Sequence, residues 1–267
     1  MKKFITFAAA ILMTASVVAQ PQVIAHRGYH ATKGSCRNSL AALKEAQKLG
    51  IYGSELDINL TKDGEIVVAH GGYHPDKSVH KDKDLERVNI QKSTLAEVQA
   101  IPLENGEVMP TLDQYLELGK KDPNTKLIIE IKKHATPALE TEIVEKAIAT
   151  VAKYGMEKQV EYIAFRPWVC FELKRLAPEG TPIAYLNGDY EPAYIKGMGI
   201  SGIDYKYDVL KKKPKWVKQA HKLGLTVNVW TVNSEENLRD VIEMGVDFIT
   251  TDDPELAQKL IKEASNK

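Results

Sequence analysis

From Val23 onward, short runs rich in β-branched residues alternate with longer stretches whose apolar positions recur at helical spacing. The runs that read as strands are Val23–His26, Tyr52–Ile58, Glu65–His70, Lys126–Ile131, Val160–Phe165, Pro182–Leu186, Gly202–Tyr205, Leu225–Trp230 and Val246–Thr250. Between most of them the period predicts helices, among them Asn38–Leu49, Pro137–Tyr154, Lys213–Leu223 and Glu235–Met244. Each of these four is followed by a glycine (Gly50, Gly155, Gly224, Gly245), the residue that best tolerates the left-handed end of a helix. A βαβα order predicts a parallel sheet covered by helices.

One pair breaks the alternation. Only residues 59–64 separate the second strand from the third, too few for the crossover that a parallel pair needs. Asp63-Gly64 is instead a hairpin turn signal. With those two residues as the turn, Asp57 falls directly opposite His70, and Glu55, two residues before Asp57, shares its face. Counting the hairpin as an arm of one strand leaves eight βα units. The expected fold is therefore α/β, a TIM (β/α)8 barrel with a hairpin arm extending the second strand. No Pro/Ser-rich linker or compositional shift divides the 267 residues, so 20–267 reads as a single domain.

Charge removes one class of function. The 36 Lys+Arg balance 36 Asp+Glu, without the basic excess of a dedicated nucleic-acid binder. The N-terminus adds a destination: Lys2 and Lys3 precede an apolar run from Phe4 to Met13, and Val17-Val18-Ala19 offers small residues before Gln20. Residues 1–19 read as a secretory signal cut after Ala19, which implies a periplasmic or secreted protein with no stable membrane span after cleavage. Thr6, Thr14 and Ser16 interrupt a stretch already short of the roughly 20 apolar residues of a span. Cys36 and Cys170 would then meet an oxidising compartment, either paired or as two buried thiols.

In a barrel of this kind chemistry sits at the C-terminal strand ends. His26 and Arg27 follow the first strand, Glu55 and Asp57 lie in the second, His70 ends the hairpin, and Glu130 and Lys132 share a face at the end of the next strand. Three carboxylates in one cavity repel and are costly to desolvate unless a cation neutralises them. One divalent cation, Ca²⁺ or Mg²⁺, is the expected cofactor, because both take oxygen ligands. His26 and His70 suit a general acid/base pair. Arg27 and Lys132 suit an anion, most naturally a phosphate. Taken singly, each residue reads as ordinary surface or core; their joint position at successive strand ends is what points to a site.

The ordered set His26-Arg27-Gly28, Glu55-x-Asp57, Thr61-Lys62-Asp63-Gly64 and His70 resembles the glycerophosphodiester phosphodiesterase family. The likeness continues through Met109-Pro110-Thr111-Leu112, Ile129-Glu130-Ile131-Lys132, Val229-Trp230-Thr231-Val232-Asn233 and Ile249-Thr250-Thr251-Asp252-Asp253-Pro254, spanning about residues 23–256. The resemblance implies a metal-dependent hydrolase that releases glycerol 3-phosphate and an alcohol from a small-molecule glycerophosphodiester. Glu55, Asp57 and Glu130 would bind the metal, His26 and His70 would be catalytic, and Arg27 and Lys132 would contact phosphate. In the mechanism usual for the family, a glycerol hydroxyl of the substrate attacks phosphorus and water opens the resulting cyclic phosphate.

Two positions depart from the family pattern. Cys36-Arg37-Asn38-Ser39 stands where Pro-Glu-Asn-Thr is typical, exchanging an acidic residue for a cation near the site. Gly71 stands where an Asp commonly follows the second His, which would leave His70 loosely oriented. Residues 71–92, with Tyr73, His74, His80 and Arg87, lack a clear period and read either as a lid or specificity loop or as a plain solvated connection. Trp230 is a candidate for the glycerol side of the site, or equally a core aromatic. Two alternative functions remain at this point: a phospholipase D-like lipid phosphodiesterase, and a non-catalytic barrel that binds a phosphodiester.

Overall fold

The computed structural model describes residues 20–76 and 87–266. The expected leader, residues 1–19, and the middle of the expected lid, including His80, lie outside the described residues. The chain runs through β1 (Gln22–Ala25), α1 (Leu40–Lys48), β2 (Gly53–Leu60), β3 (Ile66–Val68) and the short β4 (Tyr73–His74). Next come β5 (Val88–Asn89), a 3-10 turn (Ile90–Lys92), α2 (Leu95–Gln99), α3 (Leu112–Gly119), β6 (Lys126–Ile131) and α4 (Pro137–Tyr154). Then follow β7 (Val160–Ala164), α5 (Pro167–Leu176), β8 (Ile183–Tyr185), α6 (Pro192–Gly197) and β9 (Gly202–Lys206). The chain ends with α7 (Tyr207–Lys212), α8 (Lys215–Lys222), β10 (Thr226–Trp230), α9 (Glu235–Met244), β11 (Phe248–Thr251) and α10 (Pro254–Ser265).

Local chemistry sets the helix starts. Side chains of Ser39, Thr111, Thr136, Ser234 and Asp253 each accept a backbone N–H from the first turn of the helix they precede. Prolines open α4, α5, α6 and α10, where their missing N–H costs nothing.

The strands β1, β2, β6, β7, β8, β9, β10 and β11 pair in parallel in that order, and β11 pairs back with β1. The expected eight-stranded barrel is thus closed, with β3 outside the ring and antiparallel to β2. Alternation sorts β2 between two environments. Leu56 and Ile58 turn outward and pack with Leu43, Leu116 and Ile143 in the core beneath the helices. Glu55 and Asp57 turn inward, above an interior floor of Ile24, Ile128, Ile163 and Leu186.

The hairpin differs from expectation by one residue. Ile58 faces Val68 and Leu60 faces Ile66, so Asp57 lies opposite Ala69 rather than His70. A two-residue turn of the Asp-Gly type needs positive φ at both central positions. Here only Gly64 adopts it (φ 82°), with Gly64 N–H donating to Thr61 O at 3.0 Å and Thr61 N–H to Glu65 O at 2.9 Å. The Asp63 carboxylate accepts from the Thr61 hydroxyl (2.6 Å) and from Leu95 N–H (3.0 Å), which fixes this longer turn. A slip of one residue would send His70 to the wrong face of a continuing strand. The strand instead ends at Val68, and Asn59 Nδ2 donates to Ala69 O (2.8 Å) and Gly71 O (3.3 Å), bending the chain so that His70 returns over the mouth.

Part of residues 71–92 is ordered as a small ribbon, β4 pairing antiparallel with β5. Cys36 and Cys170 are buried free thiols, and burial pushes them up to about 11 and about 12. Among the described residues no helix is long and apolar enough to cross a membrane.

Candidate active site

The turn after β1 is built to present donors. Gly28 has φ 76° and lies so close to α1 that a Cβ there would meet the Ala42 Cβ at 2.6 Å. Arg27 just before it is left-handed too (φ 56°), as is Asn38 (φ 61°). Such backbone costs on the order of 1–3 kcal/mol for a non-glycine residue. In return, Arg27 N–H donates to Glu55 Oε2 at 2.8 Å, and Arg27 Nε lies 3.3 Å from Asp57 Oδ2. Asn38 grips the same aspartate twice, Nδ2 donating to Oδ2 (2.9 Å) and Oδ1 accepting the Asp57 N–H (3.2 Å).

The parallel register sets Asp57 beside Glu130, and carboxylate oxygens of Glu55, Asp57 and Glu130 all lie within 4.8 Å of one another. Lys132 Nζ reaches Asp57 Oδ1 at 3.1 Å and Glu130 Oε1 at 2.5 Å. Burial pushes Glu55 well above the usual carboxylate range, reinforced by Asp57 and Glu130. Burial likewise raises Glu130 to about 7, against the pull of Lys132. Burial would also raise Asp57, but Lys132, His70 and Arg27 outweigh it and hold Asp57 ionised. Glu55 Oε1 is buried without a hydrogen-bond partner. A cluster of hard oxygen donors with one acceptor left unsatisfied fits a divalent cation, and these residues could hold one.

Both predicted histidines are backed by carboxylates. His26 Nδ1 donates to Asp252 Oδ1 at 2.7 Å, an oxygen shared with His30 Nε2 at 2.9 Å, while Asn233 Nδ2 holds Asp252 Oδ2 at 2.7 Å. Burial lowers His26, helped by Arg27 and opposed by Asp252, so the neutral ring predominates at pH 7. Burial would raise Asp252, but hydrogen bonds from His26 and His30 keep it ionised. His70 is not loosely oriented: Asp76, further along the chain than the expected position, places Oδ2 2.8 Å from His70 Nδ1. With Nδ1 engaged in each case, Nε2 is the nitrogen left for proton transfer.

Asp76→Ala is expected to lower kcat by about ten-fold or more by freeing the His70 ring, with little change in KM. An unchanged kcat would show that the contact is structural only.

Seven of the eight predicted site residues line one cavity; the eighth, Asp57, is buried beside them. Trp230 forms part of the wall, edge-on to Phe165 at 5.6 Å and donating Nε1–H to Asp204 O at 2.9 Å. The aromatic is therefore a lining residue as well as a packed one.

Sequence reasoning assigned no role to several residues that the structure brings to this mouth. Asp204 lines the cavity fully buried, its Oδ1 lacks a partner, and burial together with Glu130 raises it to about 8, a neutral acid at pH 7. An inward acidic residue between Ile203 and Tyr205 in a central strand was the readable sign. Asn38 and Asp252 stood inside quoted motifs, whereas nothing local marked His30 or Asp76.

A carboxylate cluster between two carboxylate-backed histidines, at the C-terminal end of a barrel, defines a hydrolase of the barrel phosphodiesterase class. The chain matches the model of the glycerophosphoryl diester phosphodiesterase family over residues 26–256. It is 32% identical over 251 residues to a glycerophosphodiester phosphodiesterase of Caldanaerobacter subterraneus subsp. tengcongensis, covering 90% of this chain and 97% of that protein. The crystal structure of a glycerophosphodiester phosphodiesterase from Parabacteroides distasonis is similar at TM-score 0.85 and 41% identity, covering 92% of this chain and 98% of that one. A second solved structure, from Silicibacter pomeroyi, is similar at TM-score 0.79 and 28% identity over 92% and 94% of the two chains. The chain belongs to the glycerophosphoryl diester phosphodiesterase family.

Proposed function

We propose that this enzyme hydrolyses glycerophosphodiesters to glycerol 3-phosphate and an alcohol, with His26 and His70 exchanging protons and Glu55, Asp57 and Glu130 holding a divalent cation. The observation that carries the reading is the three-carboxylate cluster and the two histidines on the wall of one cavity. When bound, Ca²⁺ or Mg²⁺ supplies Lewis-acid stabilisation of charge on the phosphoryl oxygens.

Neutral His26, oriented by Asp252, takes the proton of the attacking glycerol hydroxyl. A phosphorus–oxygen bond forms to that oxygen as the bond to the alcohol oxygen breaks. His70, oriented by Asp76, gives its proton to the departing alcohol. Water then opens the cyclic phosphate with the two histidines in reversed roles. Arg27 and Lys132 counter the negative charge of the carboxylates and face the same cavity, where they also attract the phosphate. Phe165 and Trp230 close the apolar side of the glycerol position.

Release of glycerol 3-phosphate from glycerophosphocholine, glycerophosphoethanolamine and glycerophosphoinositol tests the reading. Turnover of at least one is expected; a folded, metal-supplied protein silent on all three and on glycerophosphoglycerol would refute it. Residues 20–267 would act as a single domain after removal of residues 1–19 on export to the periplasm or beyond. The mass of the exported protein checks the cut after Ala19.

A further inference from the structure

A second pocket, open to solvent, adjoins the first and shares Arg27 and His70 with it. His70 therefore borders both spaces, whereas His26 borders only the first of them. If His70 protonates the departing alcohol, the alcohol must lie against His70, and the second cavity is the space on that side away from His26.

Among the described residues, the other charged side chains on its wall each meet a partner or open solvent: Arg27 faces Asp57, Asp76 faces His70, and Glu104 is exposed. Half-buried Arg37 lines the cavity and makes no hydrogen bond or ion pair among the described residues. A partly desolvated guanidinium without a counter-ion is poorly satisfied alone and well satisfied by a carboxylate or phosphate, whose two oxygens match its fork. The wall is equally unsuited to a quaternary ammonium. Its aromatic member, Tyr73, already carries the Arg87 guanidinium 5.0 Å from its ring centre, so a cationic head group on that ring would meet a resident cation.

We propose that this second cavity seats the departing alcohol and that Arg37 selects head groups bearing an anion, a carboxylate or a second phosphate, over cationic ones. The inference rests on the diesterase reading above and goes beyond it by naming the head-group class and the residue that reads it.

The test is kcat/KM for four diesters: glycerophosphoserine, bis(glycerophospho)glycerol, uncharged-head-group glycerophosphoglycerol and glycerophosphocholine, with the wild type, Arg37→Gln and Arg37→Glu. The wild type should favour at least one anionic head group over choline by about 10-fold to 100-fold, the range of a charge-assisted hydrogen bond. Arg37→Gln should bring that ratio close to one, and Arg37→Glu should turn it toward choline. The serine and bis-phosphate arms separate a carboxylate from a phosphate as the anion read. A wild type that turns over all four alike, or an Arg37→Gln variant that keeps the ratio or slows every substrate by the same factor, overturns the inference while leaving the diesterase reading intact. No turnover even of glycerophosphoglycerol, which offers Arg37 nothing to read, would overturn the diesterase reading itself and the inference with it.

Discussion

Replacing His26 or His70 by alanine should lower kcat by roughly 10² to 10⁴, the usual worth of a positioned acid or base, with the barrel still folded. Both rings are only part-buried, with side-chain exposures of 17% and 34%, and neither belongs to the apolar core, so loss of rate should not be loss of fold. The pH dependence has a defined sign. His26 must be neutral to accept a proton, and burial lowers its pKa below 6.5. In the wild type kcat/KM should therefore fall as pH drops through a value under 6.5, and this limb should disappear in His26→Ala. Near wild-type turnover in both alanine variants, measured beside circular dichroism, would remove the acid/base assignment.

Chelation with EDTA should abolish turnover by about 10²-fold or more, the consequence of losing several kcal/mol of transition-state charge stabilisation, and added Ca²⁺ or Mg²⁺ should restore it. Geometry also dictates a proton balance. Burial raises Glu130 to about 7 and pushes Glu55 well above the usual carboxylate range too, so the metal-free cluster retains protons near neutrality while Asp57 stays ionised. A cation must displace those protons, so apparent metal affinity should weaken as pH falls below 7. Calorimetric titrations in two buffers of different ionisation enthalpy read the proton release directly. Glu55→Gln should both weaken the metal and reduce the release. EDTA-resistant turnover, or metal binding that liberates no proton at pH 7, would show that the cluster is held neutral by Lys132 and Arg27 alone.

What could be read in advance was whatever repeats with the period of an element. The nine strand candidates of the sequence all correspond to strands, because β-branched runs bounded by turn residues survive in any parallel barrel. Glu55, Asp57 and Glu130 were legible for the same reason, as polar residues two apart at the C-terminal end of buried strands. The hairpin register was missed by one residue because it depends on which φ Asp63 adopts, a choice settled by its side-chain contacts with Thr61 and Leu95 rather than by the Asp-Gly pair. Asp76 and Asp252 escaped for another reason. Each acts through a hydrogen bond to a ring nitrogen, and Asp252 stands 226 residues from the His26 it orients, a distance over which no local pattern exists. Gly71 marked a missing carboxylate correctly, but the ribbon of β4 and β5 lets the chain supply it from Asp76.

That 226-residue span has a consequence for the history of each molecule. His26 leaves the ribosome among the first residues of the barrel, yet its orienting carboxylate is made almost last, on the turn that follows β11. Until β11 docks on β1 the ring is open and His26 has no fixed tautomer, whatever the state of the carboxylate cluster on β2 and β6. A chain truncated before Asp252 would therefore carry its carboxylate cluster without the group that orients His26.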